Sequence, residues 1–383
     1  MAQAKLNIGL IGTGFMGKAH ALAWRNVWPV FGETLGEVPG VTLAMLCETP
    51  LDKARQMGRE FGFDRVTDDW RALVADPGVD VVSITTPNGL HREMAEAALA
   101  AGKHVWCEKP MALTLADAQA MADAAVAAGR STMVGYNYTR NPAHTHACRL
   151  VAEGAIGRPV HFRGWVDEDY QANPDLPWTW RATLAQAGLG ALGDLGCHLV
   201  SLAQGLMGPI DSLQADLQII HETRPMPEGV GRGRVENEDA ASALLRFAGG
   251  ARGSMVVSRS AWGRKSRLGY EVHGTEGMII FDQERMNELQ IYRNRGPVSE
   301  QGFTTVLTGP AHPPFGRFCP APGHQLGFND LKVIECADFL RRIAGQAAPG
   351  PDFTEALEIE RVIHAMAASA AGDGRRIAVA AFR

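Results

Sequence analysis

The chain lacks the features that would tie it to a membrane, a nucleic acid or an oxidising compartment. None of its apolar runs approaches the roughly 18 residues that a membrane-spanning helix needs. Lys and Arg number 37 against 42 Asp and Glu, a net charge of -5, so no electrostatic case exists for nucleic acid or a membrane surface. Six cysteines (Cys47, Cys107, Cys148, Cys197, Cys319, Cys336) are scattered without a C-x-x-C. That argues against a disulfide framework or a zinc site and suits reduced thiols in the cytoplasm. The stretch MAQAKLNIGLIG has no charged n-region, small-residue cleavage site or twin arginine, so no export signal is expected. There is no internal repeat and no low-complexity tail. His144-x-His146 offers two ligands without a third, so no metal is expected.

What is present describes a soluble globular protein: 46% hydrophobic and 21% charged residues. At 383 residues the chain is too long for one ordinary core, which predicts two domains. Leu6 to Ala21, LNIGLIGTGFMGKAHA, organises the first of them. The apolar run Leu6, Ile8, Leu10, Ile11 suits a strand buried on both faces. It ends in Gly12-x-Gly14-x-x-Gly17 and passes into an alanine-rich, helix-favouring stretch. Gly12 permits the tight turn, Gly14 lets backbone approach a pyrophosphate, and Gly17 lets helix pack on strand; the helix N-terminus faces the phosphates. With strand before and helix after, the motif points to dinucleotide binding.

Val41 to Cys47 reads as the second strand, followed by Glu48. An acidic residue there takes the ribose hydroxyls and repels a 2′-phosphate, which favours NAD over NADP; the bland alternative is a solvated loop carboxylate. Its offset from the glycines is long because Val27 to Gly40 reads as an insertion after the first helix. Val79 to Thr85 is a buried strand. Thr86-Pro87-Asn88 turns out of it, and Asn88 either lines the crevice or caps a helix over Gly89 to Ala101. Lys103 to Cys107 is a further strand ending in Glu108-Lys109-Pro110, where the proline holds Lys109 in extended or turn geometry. Thr114-x-x-Asp117 opens the next helix, Gly129 ends it, and Thr132 to Tyr136 closes the unit. Alternating strands and helices predict an N-terminal, doubly wound parallel sheet of Rossmann type over 1–139.

Strand-like runs then follow one another: Val160–Val166, Ser212–Ile220, Ala240–Phe247, Gly253–Ser258, Gly269–His273, Met278–Phe281 and Leu289–Tyr292. They predict a C-terminal α+β domain over 140–383 with a large, mostly antiparallel open sheet, for substrate binding and oligomerisation. Residues 296–327, rich in Pro and Gly, read as a long loop, and Leu331–Ile343 and Thr354–Ala371 as helices. In GLGALGDLGCHLVSLAQG, Asp194 and His198 stand four apart at the start of a helical pattern, on one face. The helix dipole there favours a charged Asp194 and a neutral, basic His198. Such a pair is either a cap with a core histidine or acid–base machinery. Upstream lie Asp167-Glu168-Asp169-Tyr170, either a solvated acidic loop or polyol ligands, and Trp178 and Arg181. A tryptophan face suits a sugar's C–H surface and an arginine fork suits hydroxyls.

The glycine fingerprint, Glu48, Thr86-Pro87-Asn88 with His91, Gly102-Lys103-His104-Val105, Glu108-Lys109-Pro110 and Gly193-Asp194-x-Gly196-x-His198 occur in that order. Together they resemble the glucose–fructose oxidoreductase, inositol dehydrogenase and rhizopine-catabolism family (Gfo/Idh/MocA), over essentially the whole chain. HVWCEKPMA, AWGRK, FDQERMNE, SEQGF and LGFNDLKVIEC look like its scyllo-inositol and L-glucose dehydrogenase branch; levoglucosan dehydrogenases are a more distant likeness. The resemblance implies that Gly12, Gly14, Phe15, Met16 and Gly17 cradle the pyrophosphate and Glu48 the ribose. It places Thr86, Asn88, His91, Glu108, Lys109 and Asn137 along the cofactor path. It makes Lys109, Asp194 and His198 the catalytic triad, in contact with substrate; Trp178 and Arg181 join them as substrate candidates on their side-chain chemistry alone. Many members carry arginine directly after the asparagine of this Gly-Tyr-Asn-Tyr stretch; here Tyr138 follows, with Arg140 two residues on. The implied activity is NAD-dependent hydride transfer to or from a secondary alcohol of a cyclic polyol or sugar, with no metal; the open face of the antiparallel sheet predicts a homodimer or homotetramer. Alternatives are a levoglucosan or other pyranose dehydrogenase, an NAD-dependent glycosidase, or a non-enzymatic NAD sensor.

Overall fold

The computed structural model describes residues 5–36, 38 and 40–382. They divide into two compact units, one running to Asn137 and including Gly327–Glu358, the other holding Tyr138–Leu326 and the chain from Ile359.

The first unit contains the expected parallel sheet. Strands β1 (Leu6–Ile11), β2 (Val41–Cys47), β3 (Arg65–Thr67), β4 (Val81–Ile84), β5 (His104–Cys107) and β6 (Thr132–Val134) pair in the order β3-β2-β1-β4-β5-β6. All pairings are parallel. Strand order reverses between β1 and β4, and in open sheets ligands lie beyond the carboxyl ends of strands at such a reversal. Helices on both faces account for the apolar strands: every residue of β4 is buried, and Leu10 and Leu46 are wholly inaccessible.

Helices α1 (Phe15–Leu35), α2 (Leu51–Phe61), α3 (Trp70–Ala75), α4 (His91–Ala100) and α5 (Leu115–Ala128) connect these strands. The stretch expected as an insertion, 27–40, is largely a continuation of α1, with Val27, Phe31 and Leu35 buried and Pro29 inside the helix. Glu37 and Pro39 of that stretch lie outside the described residues, as do residues 1–4 of the segment read for an export signal. Asn88 opens a 3-10 turn, Asn88–Leu90, and α4 begins at His91 without a side-chain cap. Asn88 is therefore not the cap of that helix. At α5 the capping pattern forms: the Asp117 amide donates to Thr114 Oγ1 at 3.1 Å and the Thr114 hydroxyl donates to Asp117 at 2.7 Å.

The second unit is built on a nine-stranded sheet. Its elements are α6 (Pro142–Ala152), β7 (Pro159–Asp167), α7 (Leu184–Ala187), α8 (Cys197–Met207) and β8 (Ile210–Gln218), then a small hairpin of β9 (Thr223–Pro225) and β10 (Arg232–Arg234). Strands β11 (Ala240–Phe247), β12 (Arg252–Ser258), β13 (Arg267–Gly274), β14 (Gly277–Asp282), β15 (Glu288–Arg293), β16 (Phe303–Leu307) and β17 (Ile377–Ala378) follow. The order is β16-β15-β14-β13-β7-β12-β11-β8-β17, antiparallel throughout except where β7 meets β12. The expected loop over 296–327 is thus interrupted by β16, with Phe303 opposite Tyr292. The Tyr292 hydroxyl donates to Gln301 at 2.5 Å and fastens the turn that delivers it. Helix α8 lies against β7 at Gly164, where an added Cβ would come within 2.7 Å of Leu199.

Residues 327–358, expected in the C-terminal domain, belong to the first unit. The reason is side-chain packing by α9 (Phe328–Ile343). Phe328 stacks on Phe15 with centroids 5.4 Å apart, and Phe339 packs on Trp24 and Trp106. Helix α10 (Phe353–Ala371) begins in the first unit, where the Phe353 amide donates to Thr132 Oγ1, and ends in the second.

Candidate active site

The glycine turn at the end of β1 is shaped by contact. Gly12 has φ +93°, and an added Cβ would meet Thr85 O at 2.8 Å; one on Gly17 would lie 2.3 Å from Gly12 O. No side chain there is compatible with α1 approaching the strand. Gly14 differs, because a Cβ on it would point into open space. It is the N-cap of α1, and it places no side chain on the first-turn amides. Those amides, which begin with Phe15 and Met16, form an anion site at the positive helix end.

Glu48 stands at the carboxyl end of β2. It accepts from the Thr13 amide at 3.0 Å, from the Thr13 hydroxyl and from the Thr49 amide at 2.9 Å, with the Lys53 ammonium 3.3 Å away. Burial opposes its charge, but the Thr13 hydrogen bond, the Thr49 amide and Lys53 hold its pKa below the ordinary value. Its long offset from the glycines is taken up by the 21-residue α1.

At the ends of β4 and β5 the sequence candidates separate into two kinds. His91 is inaccessible, with Nδ1 3.0 Å from Pro110 O and Nε2 3.0 Å from Thr86 O. The ring ties the Thr86 turn to the segment carrying Lys109. Burial keeps its pKa low despite these carbonyls. Glu108 turns into the unit: Oε1 accepts from His20 Nε2 at 2.9 Å and Lys332 Nζ at 2.5 Å. Lys332 also donates to Glu335 at 2.8 Å. Burial alone would raise the Glu108 pKa; the Lys332 ammonium and His20 instead hold it far below the carboxylate range. The backbone amide of Lys109 donates to the second oxygen of Glu108 at 3.2 Å, and its side chain is partly exposed. Asn137 is 2% exposed, and its Nδ2 finds no hydrogen-bond partner among the described residues.

In the second unit, Asp194 lies inside a single π-helical turn, Leu192–Gly196, that runs directly into α8. Turns of this type recur at functional sites. Four consecutive residues, Glu236 to Asp239, bind the turn and the chain around it, and Glu238 is the one that reaches the turn itself. Glu236 accepts from the Leu184 amide at 3.0 Å, and Asn237 Nδ2 donates to Arg181 O and Gly188 O. Glu238 accepts from the Leu192 amide at 2.9 Å, and Asp239 binds Arg259 at 2.8 Å. The Tyr170 hydroxyl donates to Asp194 Oδ2 at 2.6 Å. His198, buried on the first turn of α8, meets the Tyr138 ring edge-on with centroids 4.7 Å apart.

The other candidates take separate places. Trp178 packs over Gly233 and donates through Nε1 to Arg234 O at 2.8 Å, so its indole clamps the β9–β10 hairpin. Arg181 is exposed, its guanidinium 4.5 Å over the Trp180 ring. Asp167 pairs with Arg267 and Asp169 with Lys265, both of them salt bridges within the sheet unit. Arg140 is buried and donates to Thr139. Residues that sequence reasoning did not single out are Tyr170 as the partner of Asp194, and the buried His20 and Lys332. Nothing in spacing marks Tyr170. Lys332 and Glu335, charged side chains three apart in the apolar stretch Leu331–Leu340, carried a signal: such a pair buries itself only with a partner.

The glycine cradle, the α1 amides, Glu48 and the buried Asn137 amide fit a dinucleotide. A parallel sheet of this order with that cradle, followed by a unit bearing a carboxylate and an imidazole on one turn, defines an NAD-binding oxidoreductase. Residues 6–136 match the description "Oxidoreductase family, NAD-binding Rossmann fold", and residues 144–280 match "GFO/IDH/MocA C-terminal domain". The chain belongs to the GFO/IDH/MocA family. It is 39% identical over 378 residues to a levoglucosan dehydrogenase of Pseudarthrobacter phenanthrenivorans, covering 96% of each chain. It is 29% identical over 294 residues to scyllo-inositol 2-dehydrogenase (NAD(+)) of Bacillus subtilis, covering 76% of this chain and 78% of that one. Among solved structures it is similar to levoglucosan dehydrogenase in complex with NADH and levoglucosan, with TM-score 0.94, 39% identity, and 98% and 100% of the two chains covered. The levoglucosan enzyme, which motif comparison set further off than the inositol branch, shares the larger identity and coverage.

Proposed function

We propose that the chain is an NAD-dependent dehydrogenase acting on a secondary alcohol of a pyranose sugar or cyclic polyol, with an anhydrosugar of the levoglucosan kind as the first substrate to test. Likeness to a levoglucosan dehydrogenase along nearly the full length supports the substrate class. The observation that carries the chemistry is the π-turn, which presents Asp194 and His198 from adjoining turns with the carboxylate anchored.

NAD, when bound, supplies the hydride acceptor. The remaining work falls to side chains, with roles assigned by the family resemblance. His198 takes the hydroxyl proton, an imidazole being suited to that task near neutral pH. Lys109 donates a hydrogen bond to the same oxygen and stabilises its developing charge. Asp194 orients the histidine or a neighbouring hydroxyl, and Glu48 selects the unphosphorylated ribose. The exposed Arg181 remains available to substrate hydroxyls. We place the enzyme in the cytoplasm, supported by six free thiols. We also infer a homodimer or homotetramer formed through the outer sheet face, where Leu244 and Val256 are 63% and 46% exposed.

The test is NADH formation with levoglucosan, scyllo-inositol, myo-inositol, L-glucose and D-glucose, with NADP run in parallel. Turnover of at least one with NAD is expected, and Glu48→Ala should narrow the preference for NAD over NADP. Preference of the wild type for NADP would overturn the role of Glu48. Silence on every sugar would overturn the function.

A further inference from the structure

The segment between β7 and α7 holds little regular structure, yet it is fastened at nearly every residue. The Glu168 amide donates to Ser258 O and the Ala261 amide to Glu168 O, both at 2.9 Å. The Gln171 amide donates to Arg259 O at 2.9 Å. Arg224, 2% exposed, spends its guanidinium on loop carbonyls, donating to Gln171 O at 2.7 Å and Asn173 O at 2.8 Å. His221 Nε2 reaches Ala172 O at 3.0 Å. Burying an arginine is unfavourable unless its donors are satisfied, and here they are satisfied by backbone of one short loop. Between these anchors lies Tyr170, whose hydroxyl donates to Asp194 Oδ2 at 2.6 Å.

We propose that Tyr170 is a positioning residue for the dehydrogenase reaction, holding the Asp194 carboxylate in one orientation as a fixed acceptor beside His198. The proposal rests on the functional reading above and adds a fourth side chain to the three that the resemblance assigned. Three features of the chain support it. A phenol on a rigid two-torsion side chain sets direction as well as charge, and the O–H···O contact has the length of a charge-assisted bond. The loop that presents it is fastened to Ser258, Arg259, Ala261, His221 and Arg224, contacts in which Asp194 takes no part. The phenol is a permanent donor: burial and the adjacent Asp194 carboxylate push its pKa well above 10. With one oxygen of Asp194 committed to Tyr170, the carboxylate is held by a fixed donor one turn before His198.

Tyr170→Phe removes the hydroxyl and keeps the ring. With the sugar that the wild type oxidises, kcat should fall on the order of ten- to a hundredfold, the range for loss of a hydrogen bond to a charged group. NAD affinity and melting temperature should stay near wild type. In an Asp194→Ala background, which has no acceptor for the phenol, the same substitution should change kcat less than about twofold, because Tyr170 acts only through that carboxylate. Wild-type kcat in Tyr170→Phe overturns the proposal while leaving the function standing. An equal fractional loss in both backgrounds also overturns it, since that is the mark of a general packing role. Any loss of stability is common to both backgrounds, so the cycle keeps its meaning if the variant melts lower. Absence of wild-type turnover overturns the functional reading itself.

Discussion

His20 is wholly buried, its ring stacked 3.8 Å from that of Trp106 while Nε2 donates to Glu108. Burial lowers its pKa from 6.5 to about 4, against the pull of Glu108. His144, 3% exposed and 3.0 Å from the Tyr270 hydroxyl, is lowered to about 3 by burial and then by Arg140. Below pH about 6.5 the unfolded chain therefore binds protons at both rings that the folded chain refuses. Stability should fall as pH drops from about 6.5 toward 4, by at most on the order of 3 kcal/mol for each ring. Glu108 adds loss at still lower pH, because its depressed pKa contributes stability that is present above the ordinary carboxylate value and fades below it. Urea unfolding at pH 7 and pH 5 checks this; an equal or higher midpoint at pH 5 would contradict the burial of neutral imidazoles. None of this was legible from one sequence. His20 stands in an alanine-rich helix, and no spacing rule connects it with Glu108 or Lys332.

At the scale of elements, the placement of α8 depends on Gly164. Any side chain there strikes Leu199, one residue beyond His198. Gly164→Ala should lower stability by about 1–3 kcal/mol, the usual range for overpacking, and should lower turnover by displacing the helix that carries the imidazole. Thermal melting and kcat on the same preparation check both; an unchanged kcat would show that α8 tolerates the shift. The elements that apolar patterning revealed are those with continuous or alternating burial: β1, β2, β4, β5 and most of the second sheet. Those it missed are short or masked. Arg65–Thr67 holds no apolar run, and Phe303–Leu307 sits on the sheet edge among exposed residues. The second half of α1 read as an insertion, yet it continues the helix through Pro29, and the burial of Val27, Phe31 and Leu35 offsets the hydrogen bond that an interior proline removes. The π-turn has no sequence signature, since it differs from an α-turn only in which carbonyl each amide meets. The tight glycine turn and the acidic residue at the end of β2 were legible because a strand–turn–helix crossing this close demands glycine at Gly12 and Gly17, and Glu48 follows directly on the apolar strand. The surroundings of Trp178 were less so: no spacing rule showed that its indole packs over Gly233 and donates to Arg234 O.

For the molecule as a whole, Leu244 and Val256 lie on one face of neighbouring strands, exposed in a sheet whose opposite face is filled. Sedimentation at micromolar concentration should show a dimer or tetramer, and Leu244→Asp with Val256→Asp should shift it toward monomer. A wild-type monomer would remove the inferred assembly. Lastly, Lys332 lies 224 residues from Glu108, and α9, which covers α1 with Phe328 and Phe339, comes from the same late segment. On the ribosome, then, the strands that emerge first cannot finish their own core. They must wait, with Glu108 lacking its Lys332 counter-charge, until nearly the entire polypeptide has been synthesised. The cofactor-binding half is consequently not a detachable module: a gene cut after Asn137 would encode the cradle without its lid of aromatic rings, whereas a graft that keeps residues 327–358 would carry both.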